Sequence, residues 1–156
     1  RYREHFLARR LDGTAHAIPP LYPGADAALA RLGAAPETLL GVATGKARRG
    51  LDHLLDAHGL RQHFVTLQTA DGHPSKPHPS MLLAALAESG AAPGRAAMVG
   101  DTEYDIAMGR AAGMLTVGVA WGYHPPERLV AAGADVVIRD FAELDAALAG
   151  LGLLAA

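Results

Sequence analysis

Short runs of β-branched and apolar residues alternate along the chain with Ala/Leu-rich stretches whose apolar positions recur at helical spacing. Such alternation predicts βα units and a parallel sheet. The runs TLLGVAT (38–44), FVTLQT (64–69), AAMVG (96–100), MLTVGVA (114–120) and DVVI (135–138) read as strands. Helices are predicted over about 25–32, 47–58, 79–88 and 102–112, with a short one from Pro126 and a last one from about Phe141. Residues 1–10 read as the end of a helix, followed by a loop through Pro19, Pro20 and Pro23. The stretch GHPSKPHPS (72–80) is too rich in proline to be regular. No internal repeat or low-complexity segment interrupts the pattern. The expected fold class is therefore α/β, a parallel αβα core, in which ligands sit outside the carboxyl ends of the strands. Thr44, Asp101 and the Trp121-Gly122-Tyr123 stretch all fall at such ends.

Composition narrows the class. A chain of 156 residues, half of them hydrophobic, has room for one domain with a full core. The 14 basic residues are scattered and the formal net charge is −2, so no stripe or tail attracts nucleic acid or anionic lipid. A small-molecule partner is expected instead. The absence of cysteine excludes a disulfide framework and a thiolate zinc site, and fits a reducing, cytoplasmic setting. The apolar run 114–120 is far too short to cross a bilayer. The chain opens on Arg1 rather than methionine, which leads us to expect that the true start lies upstream.

Three stretches carry candidate chemistry. In VGDTEYDIAMGRAAG (99–113) a strand runs into Gly100-Asp101, leaving a carboxylate at the functional edge of the sheet, and Asp105 follows one helical turn later on roughly the same side. Two carboxylates there suit a hard cation such as Mg2+; Thr102 and Asp105 equally fit a capping box. In GVATGKA (41–47) the Thr44 hydroxyl and the amides after it could hold a phosphate oxygen, or Thr44 could be an ordinary helix N-cap. A nucleotide P-loop fails on spacing, because Leu40 stands where its first glycine should fall and Ala47 where its Ser/Thr should be. In SKPHP (75–79) Lys76 is held between a turn and a helix start. Its ammonium could neutralise charge on a transferring phosphoryl group while contributing little to packing, although most lysines are simply solvated. The 8 histidines show no metal-ligand spacing and read as surface residues. Trp121 and Tyr123 could rim the pocket or be buried against the sheet.

Taken together and in order, Thr44 in VATGK, Lys76 in SKPHP and Asp101/Asp105 in GDTEYD resemble the second, third and fourth motifs of the haloacid dehalogenase-like hydrolases. The segments PPLYPGADAALARL (19–32) and GVAWGYHPPERLVAAGADVVI (118–138) resemble phosphoglycolate phosphatase-like members. The resemblance implies a three-layer αβα Rossmann-like core and a Mg2+-dependent phosphatase of small phosphate monoesters. In such enzymes an aspartate attacks phosphorus to give an aspartyl-phosphate, and a second aspartate protonates the leaving group. By the same resemblance Thr44 and the Gly45 amide would hold the phosphoryl oxygens, and Lys76 would offset charge on nucleophile and phosphate. Asp101 would ligate Mg2+, and Asp105 would ligate it or orient its waters.

The family's first motif, a hydrophobic strand ending in Asp-x-Asp-Gly-Thr, is not matched. In RRLDGTA the nucleophile position is Arg10 and no apolar strand precedes it, so Leu11-Asp12-Gly13-Thr14 reads as a turn. Residues 1–18 are then expected to be the remnant of a helical cap and its linker, and 19–156 a core lacking its first strand. In the family that strand lies between those ending at Thr44 and Gly100. Without it both neighbours would keep unpaired backbone groups or pair with each other. The expected chain is a fragment, inert by itself. A non-catalytic relative that binds phosphate or protein, and a 2-haloacid dehalogenase, are the alternatives. A signalling receiver domain has its acidic pair near the first strand and gives GDTEYD no place.

Overall fold

The computed structural model describes residues 20–155. The readings placed on residues 1–19, including the helix end and the Leu11–Thr14 turn, lie outside them. The element order is α1 (Ala25–Ala34), β1 (Leu40–Ala43), α2 (Arg48–His58), β2 (Phe64–Gln68), α3 (Ser80–Ser89), β3 (Ala97–Gly100), α4 (Glu103–Ala111), β4 (Leu115–Val119), α5 (Pro126–Ala131), β5 (Val136–Ile138) and α6 (Leu144–Gly150). Short 3₁₀ turns precede β2, β3 and α6 and follow β2. Every element predicted within the described residues is present to within a few residues. The largest shift is at the C-terminus, where Phe141–Glu143 form a 3₁₀ turn whose first amides are capped by Asp140 before α6 begins.

All strand pairings are parallel, as the near-continuous apolar runs require. The strands nevertheless form two sheets, β1-β2 and β3-β4-β5. Ala43 is opposite Gln68 in one, and Gly100 opposite Gly118 and Val119 opposite Ile138 in the other. Of the two outcomes expected for a sheet without its middle strand, the neighbours have stayed apart and have not paired.

Alternation along β1 and β3 sorts the helices into layers. Ala97 and Val99 pack with Leu32 of α1 and Leu144 and Leu148 of α6, whereas Met98 between them packs with Met81 of α3 and Met108 of α4. Leu40 joins the first group and Ala43 the second. Val42 and Leu29 of α1 both pack against the cluster of Leu51 and Leu55 of α2 and Leu60. One layer is thus α1, α2 and α6, the other α3 and α4, with α5 beside α4. The two sheets share apolar packing on both faces but no hydrogen-bonded ladder. Among the described residues no helix is long and apolar enough to cross a membrane.

Candidate active site

The five residues singled out by the sequence, Thr44, Gly45, Lys76, Asp101 and Asp105, line one cleft of about 300 Å3 at the carboxyl ends of β1 and β3. The two unpaired sheet edges flank it. Each residue arrives there by a separate local device.

Beyond β1, the Thr44 amide continues the ladder to the Gln68 carbonyl at 3.0 Å, and its hydroxyl accepts from the Lys46 amide at 3.2 Å. Thr44 is not the helix cap that its position allowed. The N-cap of α2 is Ala47, which has no capping side chain, and the Arg48 amide donates instead to Asp71 at 2.5 Å. The threonine therefore stands in the turn before the helix, facing the cleft.

Asp71 opens the proline-rich strap that carries Lys76. The strap is held to β2 and α3 by His73, whose ring nitrogens lie 2.9 Å from Gln68 Oε1 and 2.7 Å from Ser80 Oγ. The Gln68 amide donates to Thr66 and to Glu88, and the bonds that Glu88 receives from Gln68 and from Thr66 hold its carboxyl below the ordinary range. With the Gln68 NH2 group so used, its oxygen accepts, and His73 Nε2 is the donor. His73 is half-buried, in contrast to the surface position expected of it.

Lys76 Nζ meets Asp105 Oδ1 at 2.6 Å. The other oxygen of Asp105 accepts from the Thr102 amide at 3.1 Å and hydroxyl at 3.0 Å, while Thr102 Oγ1 accepts from the Asp105 amide. The capping box is thus real, and it coexists with a place in the cleft: Asp105 is only 4% exposed and its charge rests on Lys76. Lys76 consequently carries structure as well as charge, which its sequence context did not suggest. Lys76→Met is expected to cost about 2 kcal/mol, between the values of exposed and buried pairs. Chemical denaturation of that variant, of Asp105→Asn and of the double variant should give a coupling energy, with the double variant recovering part of the loss.

Asp101 follows Gly100, whose lack of a side chain is required: a Cβ there would lie 2.3 Å from that of Asp105. The Tyr123 amide donates to Asp101 Oδ2 at 2.9 Å and the His124 amide to the Asp101 carbonyl at 3.0 Å. Burial pushes the Asp101 carboxyl above its usual range; the Tyr123 amide opposes this, and the Asp105 charge adds to it.

Two carboxylates crowded at one edge, one of them raised by burial and by its neighbour, suit a hard cation. Among the described residues no group of three His, Cys, Asp or Glu forms a full protein cage, so such an ion would keep waters and ligand oxygens, as Mg2+ commonly does. Trp121 does not rim the cleft; its ring packs on Phe141 with centroids 4.6 Å apart. Tyr104 lines it, as does Lys46, only 8% exposed. Neither was singled out by sequence, although Lys46 directly follows Thr44-Gly45.

The structure is thus of the parallel α/β class, an αβα scaffold that gathers the Thr44 turn, a fixed lysine and an acidic pair at its strand ends. The chain belongs to the haloacid dehalogenase-like hydrolase family, whose match spans residues 2–113. It is 41% identical over 126 residues to the probable phosphatase IndB of Dickeya dadantii, covering 80% of this chain and 54% of that protein. It is 36% identical over 145 residues to the phosphoglycolate phosphatase of Chromobacterium violaceum, covering 92% and 60%. A solved structure of a family hydrolase from Deinococcus radiodurans R1 with bound phosphate and sodium superposes with TM-score 0.75 at 30% identity, covering 86% of this chain and 61% of that one. The chain thus spans little more than half the length of these relatives.

Proposed function

We propose that the complete protein is a Mg2+-dependent phosphatase of small phosphate monoesters, phosphoglycolate phosphatase-like, acting through an aspartyl-phosphate. The observation that carries the reading is the convergence of Thr44, Lys76 and Asp101 on one strand-end cleft. The phosphatase names of the similar relatives support it.

In this reading the Thr44 hydroxyl and Gly45 amide hold phosphoryl oxygens, and Lys76 offsets charge as it develops on the phosphoryl group. Asp101 binds Mg2+ directly; Asp105, its oxygens engaged by Thr102 and Lys76, fixes the lysine and orients the ion's waters. When bound, the ion supplies charge neutralisation at the phosphoryl oxygens. Asp101 and Asp105 are the only carboxylates lining the cleft among the described residues, and both are committed. The attacking aspartate and the acid that protonates the leaving oxygen are therefore assigned to a further strand seated between β1 and β3, with residues 1–18 as cap remnant and linker. The protein so read is cytoplasmic.

The test is reconstitution. The chain alone should not hydrolyse phosphate esters, since holding a phosphate without an attacking carboxylate omits the covalent step. Extended upstream by the first strand and cap of a close relative, it should hydrolyse phosphoglycolate with Mg2+, and changing the added nucleophilic aspartate to asparagine should abolish turnover. An extended chain that folds yet stays inert across small phosphates favours a non-catalytic phosphate- or protein-binding relative. Halide release from a 2-haloacid in the same preparation would favour the dehalogenase reading instead.

A further inference from the structure

The loop leaving β4 closes over the exit of β3 through His124, a residue expected at the surface and found 2% exposed. Its amide donates to the Asp101 carbonyl, and the preceding amide, of Tyr123, donates to Asp101 Oδ2. Its ring Nδ1 accepts from the amide of Glu103, the first residue of α4, at 2.9 Å. First-turn amides of a helix have no intrahelical partner and usually meet a nearby side chain or water. Here Thr102 serves the Asp105 amide and an imidazole 21 positions downstream serves that of Glu103. An accepting Nδ1 makes the ring neutral, with its proton on Nε2. The ring is wedged between Tyr104 and Tyr123, each with its centroid 5.6 Å away, and Tyr104 is a wall of the cleft.

Water could satisfy the Glu103 amide at far lower cost than a fully buried histidine. What water could not do is bind one strand exit to the next. The ring holds the start of α4, the amides of His124 and of Tyr123 before it hold the carbonyl and the carboxylate of Asp101, and the three bonds share one loop.

We infer that His124 is a positioning residue for Asp101, holding its carboxylate toward the cleft by locking the β4 exit onto the first turn of α4. The inference rests on the proposed site only in what Asp101 is held for. Amide exchange followed by NMR on the full chain tests it, with calorimetric titration of Mg2+ alongside. In His124→Leu the Tyr123 amide should exchange about tenfold faster, while Val117 and Val119 in β4 keep their protection. In His124→Asn, whose Oδ1 can stand where Nδ1 stood, protection of Tyr123 should return. Mg2+ affinity should fall about tenfold in the leucine variant and recover in the asparagine variant. Unchanged Tyr123 exchange in the leucine variant overturns the inference. So does loss of protection at Tyr123 together with Val117 and Val119, which marks an ordinary core residue, or failure of asparagine to restore it. If the exchange pattern holds while the parent chain binds no Mg2+, the positioning stands and the cation reading of the cleft falls.

Discussion

Gly122→Ala is expected to unseat Asp101 and to lower both stability and Mg2+ affinity. A Cβ at Gly122 would lie 2.2 Å from the Asp101 Cβ and 2.6 Å from its Oδ2. The nearest of these atoms is anchored at the backbone and cannot swing away as a long side chain would. Either Asp101 or the loop must move, and any movement breaks the bonds from the Tyr123 and His124 amides. Forced overpacking of this kind costs about 1–3 kcal/mol, and a displaced carboxylate should lose at least about tenfold in cation affinity. Gly45→Ala is the control for stability, because a Cβ there meets nothing within 4 Å. Urea unfolding and calorimetry of the two variants check this, and an unchanged midpoint for Gly122→Ala would mean that the loop yields without cost.

Asp101→Asn should move stability and binding in opposite directions. Burial, helped by the Asp105 charge, raises the Asp101 carboxyl above its unfolded value. A raised acid favours the protonated folded form, so its contribution is fully present below the unfolded value and is lost as pH rises through the folded one. Asparagine never ionises and escapes that loss while keeping an oxygen for the Tyr123 amide. Without cation the variant should therefore melt higher than the parent at neutral pH, with the difference closing as pH falls below the ordinary carboxylate range. With Mg2+ the parent gains binding free energy, about 2.7 kcal/mol at one hundred times its Kd, and the order should narrow or reverse. A variant that melts lower without cation at neutral pH would show that the negative charge itself holds the loop.

The strands were legible because parallel strands buried on both faces are written as unbroken apolar runs. Thr44, Lys76 and Asp101 were legible because a reactive group at a strand end directly follows such a run. Several features were hidden. Gly122 and His124 owe their significance to contacts between strand exits about twenty residues apart, and no local spacing encodes those. The capping of α2 by Asp71 was hidden for the same reason, and Thr44 could be taken for the cap until the strap was seen to supply it. Asp105 was ambiguous in the sequence because it fits two roles, and the structure gives it both, cap and partner of Lys76.

The division of the sheet places the two halves of the proposed chemistry on different bodies: the anion-holding turn on β1, the acidic pair beyond β3. Among the described residues those bodies are joined by the Lys76–Asp105 ion pair and by apolar contacts such as Ala43 against Met98, and apolar packing is non-directional. A backbone ladder fixes translation along a strand one residue at a time, whereas grease between plates resists separation more than shear. Whatever spans the cleft from Thr44 to Asp101 would be a second tie bar, beside the Lys76–Asp105 pair, setting the gauge between the two plates.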